Sequence, residues 1–136
     1  MEKVISVRLS QDLLEKTEAV SAKLKRSRNW IVREVLENSD CPVLPSLYEG
    51  YGRVAVEAMA FGVSVIMSDV GLAGEVLVDH QNSLIAQVNN LDALVVSMKE
   101  MIKNKDLREK LKQNALETVK SLPSQEQTFK KLFSYL

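Results

Sequence analysis

From residue 39 onward, short apolar runs alternate with helical patterns, and this order limits the chain to a small set of folds. The run SDCPVLPS predicts a buried strand around Val43, and VSVIMSD and NSLIAQV predict two further strands. A helix is predicted from about Arg53 to Phe61, and helical spacing of apolar residues returns after Leu91. Because strands that alternate with helices form parallel sheets, we expect an α/β fold here.

The composition excludes several kinds of chemistry. The chain has one cysteine, Cys41, and one histidine, His80, so it cannot form an internal disulfide or a Cys/His zinc cluster. No uninterrupted apolar run approaches the ~18 residues that indicate a membrane span. We therefore expect a cytoplasmic protein without a membrane span, a metal ion or a cofactor.

The first 38 residues have a different pattern. In KVISVRLSQ, polar and apolar residues alternate as in a half-buried strand, with the apolar positions Ile5, Val7 and Leu9 on one face. One helix is predicted after Ser10 and a second after Ser27. A strand-helix-helix unit of this size cannot bury a sufficient core alone, so we expect two copies to pair through the leading strand.

This segment, KVISVRLSQDLLEKTEAVSAKLKRSRNWIVREVLEN, resembles the ribbon-helix-helix family of DNA-binding proteins. The resemblance implies a homodimer whose antiparallel ribbon enters the major groove of double-stranded DNA. It implies base contacts from the outward strand residues Val4, Ser6 and Arg8, where an arginine fork can take guanine O6 and N7 together. It implies phosphate contacts at the start of the second helix, from Ser27, Arg28 and Asn29. The alternative for Arg8 is an exposed strand arginine without a target.

A glycine-containing bend, LYEGYGRVAVE, lies between the first of the later strands and its helix. Gly50 and Gly52 allow backbone N–H groups to approach an anion, and the helix that follows adds its positive end. Glu49 before the bend and Glu57 on the helix can reach sugar or ribose hydroxyls. Glycine turns before helices are common, however, and a glutamate such as Glu57, taken alone, is more often a solvated helix residue than a ligand-binding one.

The longer string VLPSLYEGYGRVAVEAMAFGVSVIMSDVGLAGEVLVDHQNSLIAQVNNLDAL resembles the C-terminal lobe of family 4 retaining glycosyltransferases. These enzymes have two Rossmann-like lobes, the GT-B fold, and use nucleotide-diphosphate sugars. The resemblance implies that Glu49, the candidate catalytic residue, contacts the donor sugar and that Glu57 binds the ribose hydroxyls. It implies that the diphosphate lies on the amides of Gly50, Tyr51 and Gly52. For Glu75 it implies a structural role.

The match starts at about Asp40, partway into such a lobe. We therefore expect an incomplete Rossmann-like sheet, without the lobe's first strands, its basic pair for the diphosphate, or the acceptor lobe. The strand near Val43 is then expected to have an open edge, available to another chain or to the front segment. The chain also reads Gly62–Val63–Ser64–Val65 where relatives have G-x-P-V, and Asn82–Ser83–Leu84 where they have N-G-L. Both departures fall at predicted turns.

Two domains are therefore predicted, a ribbon-helix-helix segment at 1–38 and a glycosyltransferase half-lobe at 39–136. The leading hypothesis is a dimeric, DNA-binding regulator that carries a partial nucleotide-sugar-binding lobe, catalytically incompetent on its own. The second is a glycosyltransferase of nucleotide-diphosphate sugars, truncated or completed by another subunit. The third is a gene remnant or an artificial joining of two genes, with no selected activity.

Overall fold

The computed structural model of the chain describes residues 4–6, 19, 22–25 and 34–123. It is an α/β fold with helices around a parallel sheet, which confirms the predicted fold class of the later part of the chain. Residues 22–24 and 34–37 are helical. The remaining elements, in chain order, are β1 (Val4–Ser6), β2 (Cys41–Leu44), α1 (Arg53–Ala60), β3 (Ile66–Ser68), β4 (Leu84–Ala86), α2 (Leu91–Lys103) and α3 (Lys105–Ser121).

The sheet has four parallel strands in the order β1-β2-β3-β4 within the described residues. Val43 pairs with Ile66 across β2 and β3, and Ile66 pairs with Leu84 across β3 and β4. Since all strands run in one direction, their carboxyl ends meet at one edge of the sheet. Crevices at that edge are where open α/β sheets bind ligands.

The pairing of β1 corrects the ribbon-helix-helix prediction. An antiparallel ribbon with a second copy was expected, but β1 lies parallel to β2 of the same chain, with Val4 opposite Cys41 and Ser6 opposite Val43. The front segment thus covers the edge of β2, which was one of the two alternatives for that edge. Alternation in KVISVRLSQ predicts a strand with one buried face, and it carries no information about the partner or its direction.

Side chains on the two faces of the sheet belong to two separate apolar clusters. One cluster joins Leu44 and Met67 to α1 and to Ala115 of α3, and the other joins Val43 and Ile66 to α2 and to Leu111 of α3. Neighbouring strand residues point to opposite faces, so β2 and β3 supply both clusters. Both faces of the sheet are therefore covered by helices, as in doubly wound folds. Leu36, fully buried, belongs to the cluster around α1.

The end of α1 is fixed by Gly62. Its N–H donates to Met59 O at 3.0 Å and the next N–H, of Val63, donates to Ala58 O at 3.1 Å, which is the Schellman arrangement. Gly62 has φ of +68°, and a Cβ there would lie 3.3 Å from a methyl group of Leu116. A glycine therefore lets the turn after α1 pack directly against α3.

The two departures from the glycosyltransferase pattern carry hydrogen bonds in the structure. Buried Ser64 donates to Arg108 O at 3.1 Å, which ties the entry of β3 to α3. Buried Asn82 accepts from Val78 N at 2.8 Å and donates to Val76 O at 2.8 Å. These turns are thus held by side-chain hydrogen bonds. In the part of the chain that the structure describes, no helix has both the length and the apolar character to cross a membrane.

Candidate functional site

The loop at residues 45–52 carries most of the predicted ligand-binding residues. It leaves the carboxyl end of β2 and enters α1 at Arg53. Ser46, almost fully buried, anchors its first half, whereas Tyr48 and Tyr51 are exposed. The loop therefore has a fixed base and an open outer surface at the carboxyl edge of the sheet, where open α/β sheets generally bind ligands.

Glu49 is held in place by two contacts. The Ser46 hydroxyl donates to Glu49 Oε1 at 2.8 Å. On the other side Gly71, in the loop after β3, approaches so closely that a Cβ on it would lie 3.1 Å from Glu49 Cβ. The same hypothetical Cβ would lie 3.3 Å from Tyr51 O, so the absence of a side chain at residue 71 lets the two loops meet. The protein's own contacts thus hold the Glu49 side chain in position.

The start of α1 is open to an anion. Gly52 caps the helix with φ of +81°, a conformation that glycine adopts without steric cost, and no side chain of a described residue caps the helix start. The first turn contains no acidic residue, and its first residue, Arg53, is exposed. The Ala55 N–H already donates to Gly52 O at 3.0 Å. The positive end of the helix dipole and the N–H groups of Arg53 and Val54 are therefore what the start of α1 can offer to a phosphate.

Gly50 has no structural reason to be glycine within the described residues. Its φ is not in the left-handed range, and a Cβ there would meet no atom within 4 Å. A residue with a side chain would fit the fold equally well. The missing side chain does leave the backbone of residues 49–51 open to close approach from outside.

Glu57 lies on the exposed face of α1, one turn after Arg53, while Ala55, Ala58 and Met59 form the buried face. At 1.5 Å per residue, it stands about 6 Å along the helix from Arg53. Glu49 and Glu57 therefore flank the open helix start, one in the loop before it and one on the outer face after it.

Sequence reasoning missed a cavity of about 250 Å³ at the same edge of the sheet. It lies where β2, β3 and β4 end, and its polar lining comes from Ser68, Gln87, Asn89 and Asn90. Asn89 and Asn90 directly follow the predicted strand NSLIAQV, and they were assigned no role from the sequence.

Comparison with known proteins identifies the family. The sequence profile of the family described as "Glycosyl transferases group 1" matches residues 12–118. The chain belongs to the group 1 glycosyltransferases. The matched range crosses residue 38, so part of the segment assigned to a ribbon-helix-helix unit matches the glycosyltransferase family. The predicted division between residues 38 and 39 stays a prediction.

The curated relatives of this chain are much longer than the chain itself. An uncharacterised glycosyltransferase of Methanocaldococcus jannaschii is 44% identical over 75 residues, 55% of this chain and 21% of that protein. A glycogen synthase of Mycobacterium tuberculosis is 31% identical over 68 residues, 50% of this chain and 16% of that protein. The chain thus spans about a fifth of the length of these relatives.

Solved structures share the fold. The Anabaena protein HepE, in complex with UDP, has a TM-score of 0.74 at 18% identity and covers 100% of this chain, which covers 41% of HepE. The same protein in complex with UDP-glucose has a TM-score of 0.73 at 18% identity, with coverages of 99% and 41%. The C-terminal domain of LpcC from Francisella tularensis has a TM-score of 0.60 at 22% identity, covering 82% of this chain and 62% of that domain. The chain therefore has the fold of a GT-B half-lobe.

The DNA-binding hypothesis is wrong. The family match and the relatives are glycosyltransferases, and β1 belongs to the parallel sheet. Of the residues assigned to DNA, Val4 and Ser6 lie in β1, and Arg8, Ser27, Arg28 and Asn29 lie outside the described residues. Helical residues at 22–24 and 34–37 do follow β1, so the local pattern was compatible with both kinds of protein.

The structure also bears on Glu75 and on Cys41, the one cysteine of the chain. Glu75 is exposed and its side chain forms no hydrogen bond within the described residues, so its predicted structural role has no support. Cys41 is buried in β2, and burial raises the pKa of its thiol to about 12, which keeps it protonated and unreactive. Within the described ranges, no three His, Cys, Asp or Glu side chains lie together as a metal site requires.

Proposed function

We propose that the chain supplies the nucleotide-sugar half-site of a glycosyltransferase that transfers a hexosyl group from a nucleotide-diphosphate sugar. The observation that carries this proposal is the open start of α1, which Glu49 and Glu57 flank. Gly50, in the loop before it, is a glycine that the fold itself does not need. Anion, sugar and ribose would each meet suitable groups there. We further propose that the enzyme belongs to the retaining enzymes of family 4.

Each residue of the half-site has a role in this proposal. Glu49, fixed by Ser46, accepts hydrogen bonds from donor-sugar hydroxyls and is the candidate catalytic residue. The amides of Gly50, Tyr51 and Gly52 donate to the diphosphate, whose negative charge is also stabilised by the positive end of α1. Glu57 accepts from the two ribose hydroxyls.

Glycosyl transfer needs more than this half-site. The acceptor must be held against the anomeric carbon, and the charge of the departing diphosphate must be stabilised. Because this chain spans about a fifth of its curated relatives, we propose that a further polypeptide region, in a longer chain or in another subunit, supplies the acceptor site. The UDP and UDP-glucose complexes of HepE, a structural neighbour, support a nucleotide-sugar ligand.

The test is thermal protection by nucleotide sugars. UDP-, GDP- and ADP-linked hexoses are each added to the chain, because the base is not assigned. A ligand at ten times its Kd stabilises the folded state by about 1.4 kcal/mol, and the melting temperature of a chain of this size should rise by about 3–6 °C.

The Glu57→Ala variant should lose most of this protection, whereas Glu117→Ala, at an exposed position on α3, should keep it. Equal protection of both variants would refute the role of Glu57. If the unaltered, folded chain gained no protection from any of the three ligands, the proposed function would fail and the gene-remnant alternative would be favoured.

A further inference from the structure

The cavity at the ends of β2, β3 and β4 has an apolar side that is unusually accessible. Its walls include Pro45, Leu47, Leu91 and Leu94. Leu47 is 58% exposed and Leu91 is 72% exposed, although both are large apolar side chains. A ligand with an apolar face would bury these surfaces and gain hydrophobic free energy.

The cavity also has a polar group that needs a hydrogen-bond partner, the hydroxyl of Ser68 at the end of β3. The residue is only 6% exposed, and its hydroxyl forms no hydrogen bond with any described residue. Among the described residues, no side-chain N or O atom is both fully buried and unpaired, so this hydroxyl retains access to solvent. Ser68 lines the cavity, and a ligand there can supply the partner that the protein does not.

Three amide side chains, Gln87, Asn89 and Asn90, lie at the mouth of the cavity, and two of them add hydrogen-bonding groups that a ligand can use. Asn90 is already occupied, since its Oδ1 accepts from Ala93 N at 2.9 Å and its Nδ2 donates to Gln87 Oε1 at 3.0 Å. That bond fixes the Gln87 amide and leaves Gln87 Nε2 without a partner among the described residues. Asn89 is exposed and its side chain is also unpaired within the described part of the chain.

Charge and size narrow the class of ligand. None of the described residues that line the cavity is charged, so nothing there favours a phosphate or a carboxylate. The volume of about 250 Å³ lies below the ~300–1,000 Å³ of pockets for drug-sized ligands, so a complete nucleotide sugar does not fit. A single hydroxylated ring does fit.

We infer that this cavity is a binding subsite for one neutral pyranose ring. The C–H face of the ring packs against Leu47 and Leu91, and its hydroxyls bond to Ser68 Oγ and Gln87 Nε2. The subsite is distinct from the predicted donor site, since none of Glu49, Gly50, Tyr51, Gly52 and Glu57 lines it. Binding of the ring at this subsite does not depend on the proposed function.

The experiment is an NMR titration of the isotope-labelled full chain with methyl α-D-glucopyranoside and, separately, methyl α-D-mannopyranoside. The backbone amides of Ser68, Gln87, Asn89 and Leu91 should shift and saturate by about 50 mM, well above a Kd of about 1 mM. Inorganic phosphate should not shift these amides. Failure of both glycosides to shift them, or shifts confined to residues 49–52, would overturn the subsite.

Single-residue variants test whether the ring contacts Ser68 and Leu47. Ser68→Ala removes the unpaired hydroxyl and should weaken binding about three- to tenfold. Leu47→Ser should weaken it as well, and because Leu47 is exposed, this change does not threaten the fold. Ser121→Ala, at an exposed hydroxyl that donates to Thr118 O on α3, is the matched control and should bind normally. An unchanged Kd in both Ser68→Ala and Leu47→Ser would refute the inference.

The two proposals fail in different ways. Protection by a nucleotide sugar without glycoside shifts at residues 68, 87, 89 and 91 removes the subsite and leaves the proposed function intact. Glycoside binding at these residues without nucleotide-sugar binding leaves the subsite intact and removes the proposed function.

Discussion

The hydroxyl of Ser46 donates a hydrogen bond of 2.8 Å to Oε1 of Glu49. Ser46 is 2% exposed, so its position is set by the core below the loop, and the bond transmits that position to the carboxylate. A carboxylate with one oxygen engaged in this way keeps the other free to accept from a ligand. Under the proposed function, this bond pre-organises Glu49 and lowers the entropy that is lost when the nucleotide sugar binds.

The Ser46→Ala variant should therefore bind the protecting nucleotide sugar about three- to tenfold more weakly, because Glu49 loses the bond that orients it. Isothermal titration calorimetry measures the change. The free energy of unfolding should fall by about 1 kcal/mol. Ser121→Ala serves as the control, and an unaltered affinity in Ser46→Ala would show that the bond does not position Glu49.

Gly71 and Gly74 form a natural matched pair for testing the contact between the two loops. Both have positive φ, +59° and +83°, but a Cβ at residue 74 would meet nothing within 4 Å. Gly74→Ala should cost about 1–2 kcal/mol from backbone strain alone. Gly71→Ala should cost about 1–3 kcal/mol more, because the new methyl group presses on Glu49 and Tyr51.

Urea unfolding of Gly71→Ala and Gly74→Ala measures the difference between their free energies of unfolding. Gly71→Ala should also weaken nucleotide-sugar binding, since the loop that carries Glu49 must move to admit the methyl group. Equal losses of stability in the two variants would mean that the loops adjust without cost, and that Gly71 has no part in placing Glu49.

The α/β architecture was predictable because it depends on local patterns. The buried run around Val43 and the helix after Gly52 are each specified by residues close together in sequence. The partner of β1 was not predictable, since alternation determines which face is buried and leaves the neighbouring strand open. A resemblance to strand-helix-helix proteins then supplied the wrong partner.

The candidate functional site likewise has one part that the sequence predicts and one part that only the structure shows. Glu49 and Glu57 lie eight residues apart, on one continuous loop and helix, so a short motif can identify them. Ser68, Gln87 and Leu47 come from three segments that meet only because three parallel strands end at one edge. No local pattern indicates such a meeting point, and the unpaired state of the Ser68 hydroxyl is visible only in the structure.

Asn82 should be the most sensitive polar residue of the turn before β4. Its amide joins Val76 O, Val78 N and the Thr118 hydroxyl, the last at 3.0 Å. Asn82→Ala leaves these groups without that partner in a buried place and should lower the free energy of unfolding by about 3 kcal/mol. Asn114→Ala, which removes one exposed bond to Gln81 O, should cost about 1 kcal/mol or less.

Chemical denaturation of both asparagine variants tests this. A loss in Asn82→Ala no larger than in Asn114→Ala would show that water replaces the buried amide. In that case the turn would not depend on Asn82 for its attachment to α3.

His80 connects the same turn to α2 through charge. Its Nδ1 lies 2.9 Å from Asp79 Oδ2 and its Nε2 lies 3.1 Å from Glu100 Oε2. The hydrogen bond with Asp79, and secondarily that with Glu100, raises the pKa of His80 above its ordinary value of 6.5. A histidine with a raised folded-state pKa stabilises the fold fully below the unfolded pKa, and this contribution is lost as the pH rises through the folded pKa.

As the pH rises from about 5.5 to about 9, the free energy of unfolding of the unaltered chain should therefore fall relative to that of His80→Asn. The loss should stay below about 1 kcal/mol because both ion pairs are partly exposed to solvent. Asparagine is the suitable replacement, since residue 80 has φ of +56° and asparagine tolerates that conformation. Urea midpoints at the two pH values measure the effect, and high salt should reduce it. If the two proteins changed in parallel with pH, His80 would not be charged against Asp79 and Glu100, and the attachment of the turn to α2 would not depend on pH.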